Sequence, residues 1–288
     1  MSGRILGFGG RILTNDKKAA KYLNSPESEI YHKSKVLYGI FQAKQSIAKL
    51  NNCFLVEGYT DVISLHQAGI ENAVASSGTA LTPDQIRLIK RITPNITMLY
   101  DGDNAGIKAA LRGTDLILEE GMNVRIVILP DQEDPDSYVK RVGVEAFNKY
   151  IQENKKDLIL FKSSLFAAEA KTDPIKKAEL IRDIIESIGK IPDAIQRSVY
   201  TKQCSQLFDM NEQILITEVN KSRSKKASEQ AKTERRQEPK QQQNNNTGNN
   251  NPPDDYYDGS NGPPDDYYPP EERDNAPVHK ERFANKDS

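Results

Sequence analysis

Tryptophan is missing from this chain of 288 residues, cysteine occurs twice and histidine three times, and no long apolar run relieves a mean hydropathy of -0.69. Each shortage removes a class of protein. Cys53 and Cys204 are far apart in sequence and cannot make a disulfide framework, which fits a reducing compartment. Adding His32, His66 and His279 does not make a four-ligand zinc site, because no two potential ligands sit at zinc spacing. The longest apolar stretches, such as residues 126–130, are far too short to cross a bilayer, and the opening residues lack the charged-then-apolar pattern of a signal peptide. A net charge of one sign is missing as well, with 40 Lys+Arg against 41 Asp+Glu.

That balance hides a break in composition. From Ser224 to Ser288 the only Val, Ile, Leu, Met or Phe residues are Val278 and Phe283, and eight of the 15 prolines fall there. Such a segment buries too little apolar surface to offset chain entropy, so residues 224–288 are expected to be a disordered linker or tail. It carries PPDDYY twice, at 252–257 and 263–268. The repeat reads either as a docking motif or, the favoured reading, as a duplicated stretch of acidic linker. The tail has 10 basic and 13 acidic residues, leaving 30 basic and 28 acidic in residues 1–223. Near-neutrality therefore says little against an anionic partner, for which local placement of charge matters.

Residues 53–130 alternate strand and helix. Strands are expected at 53–57, 72–76, 96–100 and 123–129. Between them lie helices at 61–69 with a Gly stop, from Thr82-Pro83 to about Arg91, and from Asn104 to Glu120 closed by Gly121. Continuously apolar strands separated by helices mean a parallel sheet covered on both faces, with ligands at the carboxyl ends of the strands. Residues 157–220 instead read as a helical bundle. One helix starts at Asp173-Pro174 with Ile181, Ile184, Ile185 and Ile188 on its inner face. A second starts at Pro192-Asp193 with Ile195, Val199, Cys204 and Leu207 inward, and Asn211 caps a third. Cys53 and Cys204 read as core residues.

Carboxylates gather at the strand ends: Glu57-Gly-Tyr-Thr-Asp61, Asp101-Gly-Asp103, and Asp131-Gln-Glu133-Asp134-Pro-Asp136. Gly58 and Gly102 are expected to permit turns that point these acids off the sheet. Oxygen donors without His or Cys select Mg2+ or Mn2+ over zinc. Helix capping is the plainer explanation, and it suits Asp61 and Asp84. It suits the whole cluster poorly, because like charges about 4 Å apart repel by roughly 4 kcal/mol per pair at an effective dielectric near 20. A metal site is the better reading.

The order EGYTD, DGD, EDPD resembles the Toprim fold. Beyond those motifs, residues 3–13, 21–28 (KYLNSPES), 31–39 (YHKSKVLYG), 54–82, 100–110 and 128–139 resemble the catalytic core of bacterial replicative primases of the DnaG type, over about residues 3–220. The fold implied is α/β. A basic α+β segment (1–50, incomplete) precedes a Toprim domain (51–152), followed by a helical subdomain (153–223) and the disordered tail. The activity implied is templated synthesis of short RNA primers by two-metal nucleotidyl transfer, with Mg2+ or Mn2+ and no zinc site in this chain. The resemblance makes Glu57, Asp101 and Asp103 principal metal ligands, and Asp61, Asp134 and Asp136 further ones, direct or through water. It offers Arg11, Asn24, Ser25, Lys33 and Tyr38 for substrate or template contact, on a basic ridge beside the acidic site. Lys17 and Lys18 read individually as solvated surface. GFGG (7–10) lacks the third glycine of a dinucleotide fingerprint and reads as a tight turn before a strand.

The partners implied are single-stranded DNA, ribonucleoside triphosphates and the RNA primer, in the cytoplasm at the bacterial replisome. The family's amino-terminal zinc domain and the helical domain that docks the replicative helicase are expected to be absent, the chain being truncated at both ends. Two other readings stand beside the enzyme. One is a Toprim nuclease or recombination factor. The other is a module that binds metal and nucleic acid without initiating synthesis. The NSPE and HK segments favour the primase, and a topoisomerase has no room for its separate tyrosine-bearing domain.

Overall fold

The computed structural model describes residues 3–11, 22–77, 80–130 and 133–237, with backbone alone at positions 11, 22, 104, 105, 166–172 and 230–237. In chain order the elements are β1 (Gly9–Arg11), β2 (Tyr22–Asn24), α1 (Ile40–Leu50), β3 (Cys53–Val56), α2 (Tyr59–Gln67), β4 (Ala73–Ala75), α3 (Pro83–Lys90), β5 (Asn95–Tyr100), α4 (Asn104–Glu119) and β6 (Asn123–Ile128). Helices follow: α5 (Pro135–Val142), α6 (Val144–Asn154), α7 (Leu158–Thr172), α8 (Pro174–Lys190), α9 (Ala194–Phe208) and α10 (Glu212–Gln237).

Strands β3 to β6 form one parallel sheet in the order β4-β3-β5-β6. Neighbouring strand residues go to opposite faces, as the pleat requires. Leu55, Met98 and Ile126 join the core beneath α1, α3, α4 and the helical bundle. Val56, Leu99 and Val127 join a second core beneath α2, α5 and α6. Burial on both sides is why these strands read as unbroken apolar runs.

Two helices of the sheet stop in the same way. At the end of α2 the Ile70 N–H bonds the Leu65 carbonyl, and the Gly69 N–H bonds that of His66. At the end of α4 Met122 bonds Ile117 and Gly121 bonds Leu118. Gly69 (φ 82) and Gly121 (φ 70) take the left-handed conformation this cap needs. Thr82 caps α3, with the Gln85 N–H on its hydroxyl and Pro83 in the first turn, as the sequence implies.

Four expectations need correction. α9 buries Thr201, Cys204 and Phe208, while Ile195 (76% exposed), Val199 (61%) and Leu207 face outward. The apolar residues of that helix are split between two sides, and counting them by spacing chose the wrong one. The composition break at Ser224 falls inside α10, which runs on to Gln237. Residues 224–237 hold Ala, Glu, Gln, Lys and Arg with no Gly or Pro, a helix-favouring mixture that a test for core-forming residues does not detect. The segment GFGG is no turn: Gly9 and Gly10 lie in β1, paired with Asn24 and Leu23 respectively. A β-carbon on Gly9 would stand 2.7 Å from the Tyr59 ring, so glycine there serves close approach. Finally, neither Gly58 (φ -116) nor Gly102 has the left-handed φ of a sharp turn. Gly102 is needed for space, since a β-carbon would meet the Pro130 and Leu129 carbonyl oxygens at 2.5 and 2.6 Å.

Residues 12–21 (with Lys17, Lys18 and Lys21), Asp131 and the PPDDYY repeats lie outside the described residues.

Candidate active site

Because β4 lies on one side of β3 and β5 on the other, the crossover α2 leaves in one direction and α4 in the other. The crevice at such a switch point is where open α/β sheets bind ligands. Glu57 follows β3 and Asp101 follows β5, on the two sides of that crevice. Glu57, Asp61, Asp101 and Asp134 line one cleft of about 490 Å³, with Tyr59, Ser76, Ser77, Tyr100 and Arg112.

These groups sense one another. Burial raises the pKa of Asp101 to about 7, helped by the charges of Glu57, Asp61, Asp134 and Asp103. Burial likewise raises Asp61 to about 6, with Asp134 and Asp136 adding to it. Glu57 is raised by burial and by Asp103. Oxygen donors crowded until they retain protons are the donor set of a hard divalent cation. Among the described residues no three His, Cys, Asp or Glu side chains close around a single point.

Three of the acids also begin helices. Asp103 caps α4, its Oδ1 accepting the Gly106 N–H at 2.7 Å. Asp134 caps α5, accepting the Ser137 N–H at 2.7 Å. Asp61 accepts the Gly58 N–H at 2.9 Å. Capping and clustering, which the sequence posed as rivals, coexist in the same side chains. Asp103 and Asp136 are not among the cleft's lining residues; Asp136 pairs with Lys140 and accepts the Ser64 hydroxyl, tying α5 to α2.

A second cleft of about 690 Å³ adjoins the first and shares Tyr59, Ser76 and Ser77 with it. Arg4, Lys33 and Tyr38 line it. Tyr38 sets its ring edge-on to Tyr59 at 4.7 Å, and the Tyr59 hydroxyl donates to Asn24 Oδ1 at 2.5 Å. Ser25 Oγ accepts the Phe8 N–H at 2.9 Å. Lys33 and Tyr38 thus line this second cleft, whereas Asn24 and Ser25 are not among its lining residues, their side chains being spent on internal bonds to Tyr59, Ser77 and Phe8. Of Arg11 only the backbone, in β1, is described. Tyr59 and Arg112 went unnoticed in the sequence. Tyr59 was legible as the residue after Glu57-Gly58, whereas Arg112, inside a long helix, carried no local signal.

Family models extend these observations. "Toprim-like" matches residues 54–139, "DNA primase catalytic core, N-terminal domain" matches 1–44, and "DnaB-helicase binding domain of primase" matches 170–213. The DNA primase of Halalkalibacterium halodurans is 40% identical over 210 residues, covering 73% of this chain and 35% of that protein. A crystal structure of a DNA primase domain from Pseudomonas aeruginosa is 37% identical, with a TM-score of 0.68, covering 76% of this chain and 68% of that one. A DnaG primase catalytic domain solved bound to ssDNA is 38% identical, with a TM-score of 0.62, covering 71% and 66%. Fold and cleft are thus those of a Toprim domain. The chain belongs to the bacterial DnaG-type primase family. It spans about a third of the length of the curated relatives it matches. The match at 170–213 runs against the expectation that the family's helicase-docking domain is absent from the chain. Composition and helix spacing carry no mark of such a surface.

Proposed function

We propose that this chain is the catalytic part of a DNA primase, a DNA-directed RNA polymerase that joins ribonucleotides on a single-stranded DNA template. The observation that carries the reading is the cluster of carboxylates at the sheet's switch point in a chain of this family. Glu57, Asp101 and Asp103 are the principal candidates to hold Mg2+ or Mn2+, with Asp61 and Asp134 beside them. Asp136 acts at one remove, its N–H bonding the Asp61 carboxylate. When bound, the metal ions supply an acidified 3'-hydroxyl and a neutralised triphosphate and leaving pyrophosphate.

The protein's own groups do the rest. Burial and its acidic neighbours raise the pKa of the Asp101 carboxyl to about 7, so a cation bound there would compete with its proton. Tyr59 lines both clefts, and in the second Arg4 and Lys33 hold template phosphates with a salt-dependent grip. A relative solved with ssDNA supports the template, and the match at 170–213 supports the replicative helicase as partner, in the cytoplasm at the replisome. Ribonucleoside triphosphates and the RNA primer complete the partners. The division into a basic segment (1–50), a Toprim domain (51–152) and a helical subdomain from 153 onward belongs to the same proposal.

The test is ribonucleotide incorporation on single-stranded DNA in Mg2+ or Mn2+, with and without an annealed oligonucleotide, for the native chain and Asp101→Ala. Template-dependent RNA that disappears in the variant is the expected result. Absence of product in both formats, with Mn2+ still bound, would leave a module that binds without polymerising.

A further inference from the structure

We propose that Arg112 binds the phosphate groups of a nucleoside triphosphate held over the carboxylate cluster. The inference rests on reading the cleft as a nucleotidyl-transfer site, and it assigns a substrate contact that the motifs of the sequence do not mark.

Arg112 lines the same cleft as Glu57, Asp61, Asp101 and Asp134. A guanidinium present to neutralise those acids would be paired with one of them. Several cations elsewhere on the chain are paired with acids, among them Arg87 with Asp84 and Glu120, Arg141 with Glu133, Lys140 with Asp136 and Lys190 with Asp115. Arg112 makes no ion pair and donates no hydrogen bond among the described residues, and its side chain is exposed. Four carboxylates share its cleft, and its donors remain open.

Position adds a second argument. Arg112 lies nine residues along α4 from the capping Asp103, about 13 Å at 1.5 Å per residue. Side chains lean toward the start of their own helix, which for Arg112 is the carboxylate end. A single ion at the strand ends does not span that interval. An elongated anion with metal-bridged oxygens at one end and free phosphate oxygens at the other does. Guanidinium is the side chain whose planar fork matches phosphate oxygens two at a time. Opposed cations and metal ions around one polyphosphate are the usual clamp of phosphoryl transfer. The ligand class is therefore a nucleoside triphosphate. The phosphodiester of a template strand shares its chemistry and must be separated by experiment.

The experiment measures binding to the full chain by calorimetry: ATP in Ca2+, Mn2+ alone, and a single-stranded 12-mer. Native protein is compared with Arg112→Gln, Arg112→Lys and, as a cation on the same helix that does not line the cleft, Lys108→Gln. The expected result is triphosphate affinity about tenfold or more weaker in Arg112→Gln, the worth of one charge-assisted hydrogen bond. It should be partly restored in Arg112→Lys and unchanged in Lys108→Gln, with Mn2+ affinity equal or tighter. Native-like triphosphate affinity in Arg112→Gln overturns the proposal. So does a loss confined to the 12-mer, which would give Arg112 to the template. Equal losses for Mn2+ and ATP in both Arg112 variants would make the residue structural and overturn it too. A native chain that binds neither Mn2+ nor ATP would instead refute the active-site reading beneath it.

Discussion

Glu57 and Asp101 end two adjacent parallel strands whose crossovers depart in opposite directions, and after burial the charge of Glu57 is the largest influence holding the proton on Asp101. The crevice that the sheet opens at its switch point is thus filled with negative charge.

Stability should record that repulsion. Asp61 and Asp101 bind protons more tightly folded than unfolded, with pKa values near 6 and 7 against 3.8. The native state then holds more protons than the unfolded chain between about pH 4 and 7. Their contribution is fully present below about pH 4 and is lost as pH rises through 6 and then 7. In metal-free buffer the melting temperature of Asp101→Asn should exceed that of the native chain by a few degrees at pH 8, about the shift of 1 kcal/mol. The difference should shrink toward pH 5. Scanning calorimetry across that range checks it, and a difference independent of pH would contradict the coupling.

Asp103 separates two roles in one side chain. Asparagine caps helices as well as aspartate does, so Asp103→Asn should keep α4 intact and lose cation affinity with its charge. Asp103→Ala should lose the same affinity and about 1 kcal/mol of stability besides. Urea midpoints and Mn2+ titrations of the two variants resolve this. Equal stability of both would mean that the cap contributes nothing.

Gly102 should tolerate no side chain. Alanine there puts a methyl group against the Pro130 and Leu129 carbonyls, and both are backbone, so the DGD loop itself must move. Gly102→Ala is expected to cost about 1–3 kcal/mol and to weaken Mn2+ binding, because Asp101 and Asp103 flank the displaced residue. Unaltered Mn2+ binding would show that the loop adapts.

Lys162 is 2% exposed and bonded to Ser187 Oγ at 2.7 Å and to Asp183 at 2.7 Å, while Ser187 donates to Asp115 of α4 at 2.6 Å. Cutting this network and replacing it differ. Asp115→Ala strands the Ser187 hydroxyl and Lys190, at a cost of about 2–3 kcal/mol. Lys162→Met removes the buried charge and leaves only the half-exposed Asp183 to water, so it should cost less than Asp115→Ala. Denaturant unfolding of both variants gives the comparison, and a Lys162→Met loss as large as that of Asp115→Ala would argue against it.

What the chain announced in advance was whatever one segment decides alone. The Thr82-Pro83 start, the Gly69 and Gly121 stops and the isoleucine face of α8 follow from local rules and stand as expected. The four strands follow from burial on both faces. The failures came where distant parts meet. Ile195 and Val199 face solvent because of how α9 lies on its neighbours. Gly9 is glycine because Tyr59, fifty residues away, arrives beside it. The cleft divides likewise. Its carboxylates sit in short motifs at strand ends, whereas Arg112 enters only through the path of α4.

The helix caps at Asp103 and Asp134 hold α4 and α5 wound by bonds internal to the chain. A cation binding at the cleft would therefore meet a backbone that is already shaped. Loading and emptying such a site would leave the backbone undisturbed.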